Sequence, residues 1–409
     1  MGDHDSAPIE KLVGRRVAVV VLADLARSPR MLGHALELRR AGASVTLVGL
    51  MEGELPRVVT ESGTRTRLLT DRRTRESPGL YAFKAASDLA KTSVQLGAQL
   101  RDLRPDLVLV QSPPSQHLLP WIFESKRRGA RLAVDWHNLG SSRSALRFGA
   151  THPIPRALAL SERALSRLAD AQVAVSSRLL SAVSVVGVPS VVLHDRPMSW
   201  YRRSSISARE SKRTEILATF DAKDDGGLLV VTSTSFGPDE DFELLEGAIR
   251  RLEAAGASAG KVRVLITGRG PGMDEILGKL TKACGSRAQV RNVWLSAEDL
   301  AETLSAADVG LSLHRSSSGL DLPMKIQDMV GAGLPVLALD FAPVLLETFR
   351  VGVDGLLFTS SAELCELLDR GRQFMSGLRK FAEAAPKVSW SEAWRASVGP
   401  LLGTLCSSR

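Results

Sequence analysis

The sequence predicts an α/β protein made of two successive doubly wound halves, each a parallel sheet with helices on both faces. Three observations carry that prediction. Continuous β-branched runs such as Val17–Leu22 read as strands buried on both faces rather than as half-exposed, alternating ones. These runs alternate with stretches of helical period, the pattern that βαβ units require. One polar, charged interval, Arg202–Asp225, divides the series.

The first half opens with a strand over Arg16–Leu25 and a loop holding Asp24, Arg27, Ser28 and Pro29. A helix over Arg30–Ala41 follows, stopped by Gly42, and the strand Ser44–Gly49 completes a βαβ unit. Asp106–Gln111, Arg131–Asp135, Ala171–Ser176 and Ser190–His194 read as further short apolar strands, for a sheet of about five or six. Tyr81–Leu100 reads as an amphipathic helix. In the second half, strands are expected at Leu228–Ser233, Arg263–Thr267, Val290–Leu295, Val309–His314, Pro335–Leu339 and Gly355–Phe358. Helices are expected at Phe242–Ala255, Met273–Cys284, Ala297–Ala306 and around Lys325–Gly331. The domain reading is residues 1–200, a linker at 201–225, a second domain at 226–380, and a helical tail at 381–409 that packs back on the first.

Composition narrows the function. A chain of 409 residues with 44% hydrophobic content can fill two cores without staples. Cys284, Cys365 and Cys406 fit no zinc or disulfide spacing, so a reducing, cytoplasmic compartment is expected. The net charge of +8 suits phosphorylated ligands or anionic lipid, and the absence of any nucleic-acid motif argues against nucleic acid. No run approaches the roughly 18 apolar residues that span a bilayer, and Met1–Lys11 is polar, so membrane contact is expected to be peripheral. Arg57, Arg65, Arg67, Arg72, Arg73 and Arg75, before the Tyr81–Leu100 helix, suit an anionic membrane or, equally, a charged loop. The chain lacks a nucleophile elbow, a P-loop and a Gly-x-Gly-x-x-Gly, which disfavours hydrolases, NTPases and dinucleotide oxidoreductases.

In doubly wound sheets, ligands bind beyond the carboxyl ends of the strands, and the chemically rich segments fall there. After the first strand, Asp24, Arg27, Ser28 and Arg30 lead into a helix start that favours anions, although Ser28 as N-cap with Pro29 behind it is an ordinary turn. Asp135, His137 and Asn138 end another strand and suit acid/base work or hydroxyl recognition. Ser235 lies in a hydroxyl-rich turn, and Arg269 sits in a Gly-x-Gly turn within reach of a phosphate. Asp239, Glu240 and Asp241 precede a helix, where capping explains them better than a metal does. The densest cluster is His314, Ser316, Ser317, Ser318, Gly319 and Leu320, running into a helix with Lys325 and Asp328. Hydroxyls, backbone N–H groups and a lysine at a helix start suit a diphosphate, and an acid one turn on suits ribose.

The segments VVVLADLARSPRMLGHALELRRAGASVTLVG, VQSPPSQHLL, DWHNLG, HDRP, STSFGPDEDF, ITGRGP, WLSAEDL and SLHRSSSGLDLPMKIQDMVGAGLPV, in that order, resemble the chitobiosyldiphosphodolichol β-mannosyltransferase family. The resemblance spans residues 18 to 336, with weaker similarity beyond. It implies a GT-B fold, two Rossmann-like domains facing a cleft, with GDP-mannose as donor and a chitobiosyl-diphospho-polyprenyl lipid as acceptor. It implies inversion to a β-1,4-mannosyl product, no bound metal or cofactor, and work on the cytoplasmic face of a membrane. Inversion needs a base on one face of the reacting carbon, with Asp24, Asp135 and His137 as candidates. It also needs a counter-charge for the leaving diphosphate. Ser235, Arg269, His314, Ser316–Leu320 and Lys325 are the donor-side candidates, and Asp328 would hold the ribose. Arg27, Ser28, Arg30 and Asn138 are the acceptor-side candidates. The alternatives are another GT-B enzyme with a different nucleotide sugar, and an inactive scaffold, against which the intact donor cluster speaks.

Overall fold

A computed structural model of the chain describes residues 7–69, 81–113, 119–256 and 260–407. Contacts within the chain divide it into two compact units, Met1–His194 with Trp390–Arg409, and Asp195–Ser389.

The first unit holds β1 (Arg16–Asp24), β2 (Ser44–Leu50), β3 (Arg65–Leu68), β4 (Leu107–Ser112), β5 (Arg131–Trp136), β6 (Ala171–Ala174) and β7 (Ser190–Val192). They form a seven-stranded sheet in the order β3-β2-β1-β4-β5-β6-β7, with every pairing parallel. Val17 through Leu22 are all buried, as a strand covered on both faces requires. β3 adds to the strands expected from sequence. Its four residues, Arg-Thr-Arg-Leu, are exposed throughout, so neither an apolar run nor alternation marks it. An edge strand carrying charge is one way a sheet discourages further pairing. Arg65 and Arg67 therefore belong to a strand, and Arg67 donates to Asp102 at 2.8 Å. Arg72, Arg73, Arg75 and half of the segment VQSPPSQHLL lie outside the described residues.

The second unit holds β8 (Leu228–Thr234), β9 (Val262–Gly268), β10 (Ala288–Val293), β11 (Val309–Ser312), β12 (Val336–Leu339) and β13 (Gly355–Phe358). Their order is β10-β9-β8-β11-β12-β13, again with every pairing parallel. Val230, Val264, Ile266, Leu311 and Leu337 build the core beneath helices such as Phe242–Ala254. The interval read as a linker contains a helix, Ile206–Ala218, capped by Ser205. Its charged sequence hid it. Arg213 is buried there, donating to Asp224, Asp308 and the Gly227 carbonyl, each at 3.0 Å.

Strand order reverses once in each unit, between β1 and β4 and between β8 and β11. Neighbouring loops leave a sheet in opposite directions at such a point, which opens a crevice above its carboxyl end. Among the described residues no helix is long and apolar enough to cross a membrane.

Candidate active site

In the second unit, the loops after β8, β9 and β11 converge at the reversal point. Residues 237–241 fold back along 313–315: Asp241 N–H donates to the Leu313 carbonyl at 2.9 Å and Arg315 N–H to the Asp239 carbonyl at 2.8 Å. That pairing sets Glu240 against Lys325, which opens the helix Met324–Gly331. The Lys325 ammonium donates to Glu240 and, at 2.5 Å, to the Ser233 carbonyl at the end of β8. Burial pushes the ammonium down to about 8, against the pull of Asp239. Capping does not account for this acidic run. Asp241 occupies the N-cap position but its side chain caps no helix N–H; its carboxylate accepts from Arg315 at 2.7 Å instead.

Two glycines let these loops meet. A Cβ on Gly268 would lie 1.8 Å from the Thr234 carbonyl oxygen, and one on Gly270 would lie 1.7 Å from that of Ser235. Arg269, between them, is exposed and stacks on Trp294 with its guanidinium 4.7 Å from the ring centroid. Ser235 is exposed beside it.

The serine-rich loop is organised by an acid that the sequence reading passed over. Asp321 accepts from Ser316, from Ser318 at 3.4 Å, and from His314 Nε2 at 3.1 Å. Burial would raise its carboxyl, but the His314 hydrogen bond and charge and the Ser316 hydrogen bond bring it below its ordinary value. The Ser316 and Ser318 hydroxyls also accept from the N–H groups of Gly319, at 2.8 Å, and Leu320, at 3.2 Å. Those two hydroxyls thus shape the loop. Ser317 is half-buried within it, and Gly319 supplies the left-handed turn at φ +69°. Asp328, one turn beyond Lys325, is pushed well above the usual carboxyl range by burial and by nearby Asp195.

In the first unit the arrangement differs from expectation. Asp135, at the end of β5, is fully buried. Arg30 forks onto it, Nε to Oδ2 at 2.7 Å and Nη2 to Oδ1 at 2.8 Å, and sends Nη1 to the Leu193 carbonyl at 2.7 Å. His34, one turn further along the helix Pro29–Arg40, reaches Oδ2 at 3.1 Å, and His137 reaches it at 3.0 Å. Burial alone would raise the Asp135 carboxyl, but the Arg30 charge and the two histidines hold it well below the usual range. Arg30, with a side chain 0% exposed, is a structural counter-ion and is not available to an acceptor.

Hydrogen-bond logic fixes the histidines. Trp394, which can only donate, gives its Nε1–H to His34 Nδ1 at 3.0 Å. His34 therefore carries its proton on Nε2 and donates to Asp135. Burial pushes this imidazole down in spite of that bond, keeping it neutral. His137 likewise donates from Nε2 to the carboxylate, so Asp135 orients its ring. Its side chain is 17% exposed, whereas Arg30, His34 and Asp135 have none.

Asp24 organises its own loop. Its Oδ1 accepts from the N–H groups of Ala26 and Glu52, both at 3.1 Å, and Oδ2 lies 3.5 Å from Arg27 Nε. Ser28 does not cap the helix with its side chain; its hydroxyl donates to the Asp24 carbonyl at 2.9 Å. Asn138 accepts from Leu139 N–H at 2.7 Å.

Residues 25–194 match the model of a glycosyl transferase 4-like domain, and residues 227–370 that of glycosyl transferases group 1. Chitobiosyldiphosphodolichol beta-mannosyltransferase of Kluyveromyces lactis is 32% identical over 94% of this chain and 89% of its own. The proteins of that name from Eremothecium gossypii and Mus musculus are 34% and 31% identical, over 96% and 95% of this chain and 86% and 89% of theirs. The chain belongs to the chitobiosyldiphosphodolichol beta-mannosyltransferase family. It is a glycosyltransferase of GT-B fold. Sucrose-phosphate synthase from Thermosynechococcus elongatus superposes with a TM-score of 0.70 at 16% identity, covering 96% of this chain and 99% of that one. Anabaena HepE, in complex with UDP and glucose, superposes at 0.66 and 15%, covering 97% and 100%. At those identities the likeness speaks for the fold.

Proposed function

We propose that this mannosyltransferase-family chain moves mannose from GDP-mannose to a chitobiosyl-diphospho-polyprenyl lipid, inverting the donor carbon to form a β-1,4 linkage. Membership of the family supports the donor and acceptor classes. The observation that carries the reading is the half-buried Lys325 ammonium at the β8/β11 reversal, where a diphosphate-leaving donor needs a counter-charge. An ammonium has three donors, and with two on Ser233 and Glu240 a third remains for a phosphate oxygen.

The reaction follows from these groups. His137 Nδ1 takes the proton of the acceptor hydroxyl as its oxygen attacks the anomeric carbon. The bond from that carbon to the diphosphate breaks, and GDP leaves with its electron pair, its charge met by Lys325, Arg269 and the N–H groups of the serine loop. Asp135 orients His137 and stabilises the imidazolium that forms. Asp328 takes a ribose hydroxyl. Arg27 and Asn138 remain candidates for acceptor contacts.

The test is transfer of labelled mannose from GDP-mannose to a synthetic chitobiosyl-diphospho-lipid. The expected product is released by a β-specific mannosidase. Preferential use of UDP-glucose, or a product resistant to that enzyme, would refute the assignment. Lys325→Ala is expected to raise the half-saturating donor concentration by about 10- to 100-fold, the worth of one charge-assisted hydrogen bond. Acceptor half-saturation should stay near the parent value. An unchanged donor requirement would remove Lys325 from the site.

A further inference from the structure

We propose that the helical hairpin beginning three residues after His137 is the surface on which the first unit docks to an anionic lipid bilayer. Its helices run Gly140–Phe148 and Pro153–Leu168 and pack against each other. The proposal deepens the reading above and rests on it for the lipid character of the acceptor.

The hairpin turns apolar side chains outward where a buried helix pair would turn them in. Leu146 is 53% exposed, Phe148 42%, Ile154 44% and Leu160 64%. Elsewhere among the described residues of the first unit, exposed large apolar side chains are spread singly, as Val13, Leu68, Val94 and Val186. Single exposed residues are normal on a soluble surface, whereas a group on one element marks an interaction site.

Charge identifies the partner. Arg143, Arg147, Arg156, Arg163 and Arg167 are exposed on the same two helices. Between Gly140 and Leu168 the only acidic residue is Glu162, and it is buried. Its carboxylate faces inward to the start of the hairpin, accepting from Gly140 N–H at 2.5 Å and the Ser141 hydroxyl at 2.6 Å. The hairpin's own sequence therefore adds no exposed carboxylate to its exposed arginines and apolar groups. That combination suits lipid headgroups above an acyl layer. Arginine stems can lie along the apolar layer while their guanidinium groups meet phosphates.

The hairpin is also shaped to hold its tip. The Phe148 and His152 rings stack with centroids 5.2 Å apart, and His152 Nδ1 accepts from Ile154 N–H at 3.3 Å, capping the second helix. Glu162 ties its base next to Asn138. His137 lies three residues before this hairpin, so a bilayer docked on it would hold a lipid-borne diphosphate near the stretch of chain that carries His137.

The experiment is co-sedimentation of the full chain with phosphatidylglycerol-containing vesicles and with pure phosphatidylcholine vesicles. The parent protein is expected to pellet with the former and to be released by salt, which screens the arginine contribution. The double variant Leu146→Ser, Phe148→Ser should partition about tenfold more weakly, as should Arg143→Glu with Arg147→Glu. Val186→Ser, at an apolar side chain still more exposed but off the hairpin, should bind like the parent. Failure of the parent to bind either vesicle, or equal binding by the hairpin variants, would overturn the proposal and turn the surface over to a protein partner. Mannosyl transfer to a water-soluble, short-chain chitobiosyl diphosphate is measured alongside. It should be the same in parent and hairpin variants, so a failure of transfer condemns the catalytic reading and a failure of binding condemns the surface.

Discussion

His137→Ala is expected to lower turnover by about 10²- to 10⁴-fold, the usual worth of a positioned general base. Donor affinity should be untouched, because the residue acts on the acceptor hydroxyl. The loss should therefore fall on kcat, with the donor's half-saturating concentration within about twofold of the parent. A second readout separates base from bystander. The acidic limb of the kcat/KM profile reports protonation of the base in the free enzyme, and it should flatten in the variant. Added imidazole should restore part of the activity, since the vacated space borders a carboxylate built to orient such a ring. A variant within a few-fold of the parent, with its pH profile intact, would return the search to Asp24, whose Oδ2 has only the 3.5 Å approach of Arg27.

Much of this arrangement was legible in the sequence, and the parts that were not share a cause. Parallel strands such as Val17–Leu22 announce themselves because burial on both faces demands an unbroken apolar run. β3 could not, being exposed on both faces, and the helix Ile206–Ala218 could not, because its buried face includes Lys212 and Arg213. Loops at the strand ends drew attention because topology places ligand sites there in any doubly wound sheet. What each side chain does in them was less legible. Arg30 and Asp135 are 105 residues apart, and His34 and Trp394 are 360 apart. No local pattern reports pairings of that range. One sign was available: Arg30 and His34 stand four apart on a single helix, so both must point the same way. Asp321 was passed over, lying in a run whose serines looked more useful, and Glu240 was assigned to capping along with its neighbours. Their hydrogen bonds show them holding the loop and the lysine in place.

Asp135→Asn should be the most costly single change in the first unit. It removes the carboxylate that grips a guanidinium with no exposed surface, and breaking a buried ion pair from one side costs about 3–5 kcal/mol. Denaturation followed by fluorescence of the buried Trp136, Trp390 and Trp394 should show the loss in this unit. The contribution has a definite pH range. Asp135 is held below its unfolded value, so the stabilisation is full above about pH 4 and disappears as pH falls through the depressed folded value. Turnover should fall as well, because an amide can offer His137 its NH2 group and so favour the wrong tautomer. The two losses are separable by also removing the charge. Replacing a buried ion pair with apolar side chains of similar size is often neutral, so Arg30→Met with Asp135→Leu should recover part of the stability, the buried His34 Nε2–H still lacking its acceptor. It should not recover turnover, since His137 would still lack its orienting partner. Activity returning with stability would make Asp135 a structural counter-ion alone. A stable, folded and inactive double variant would assign it to the positioning of the base.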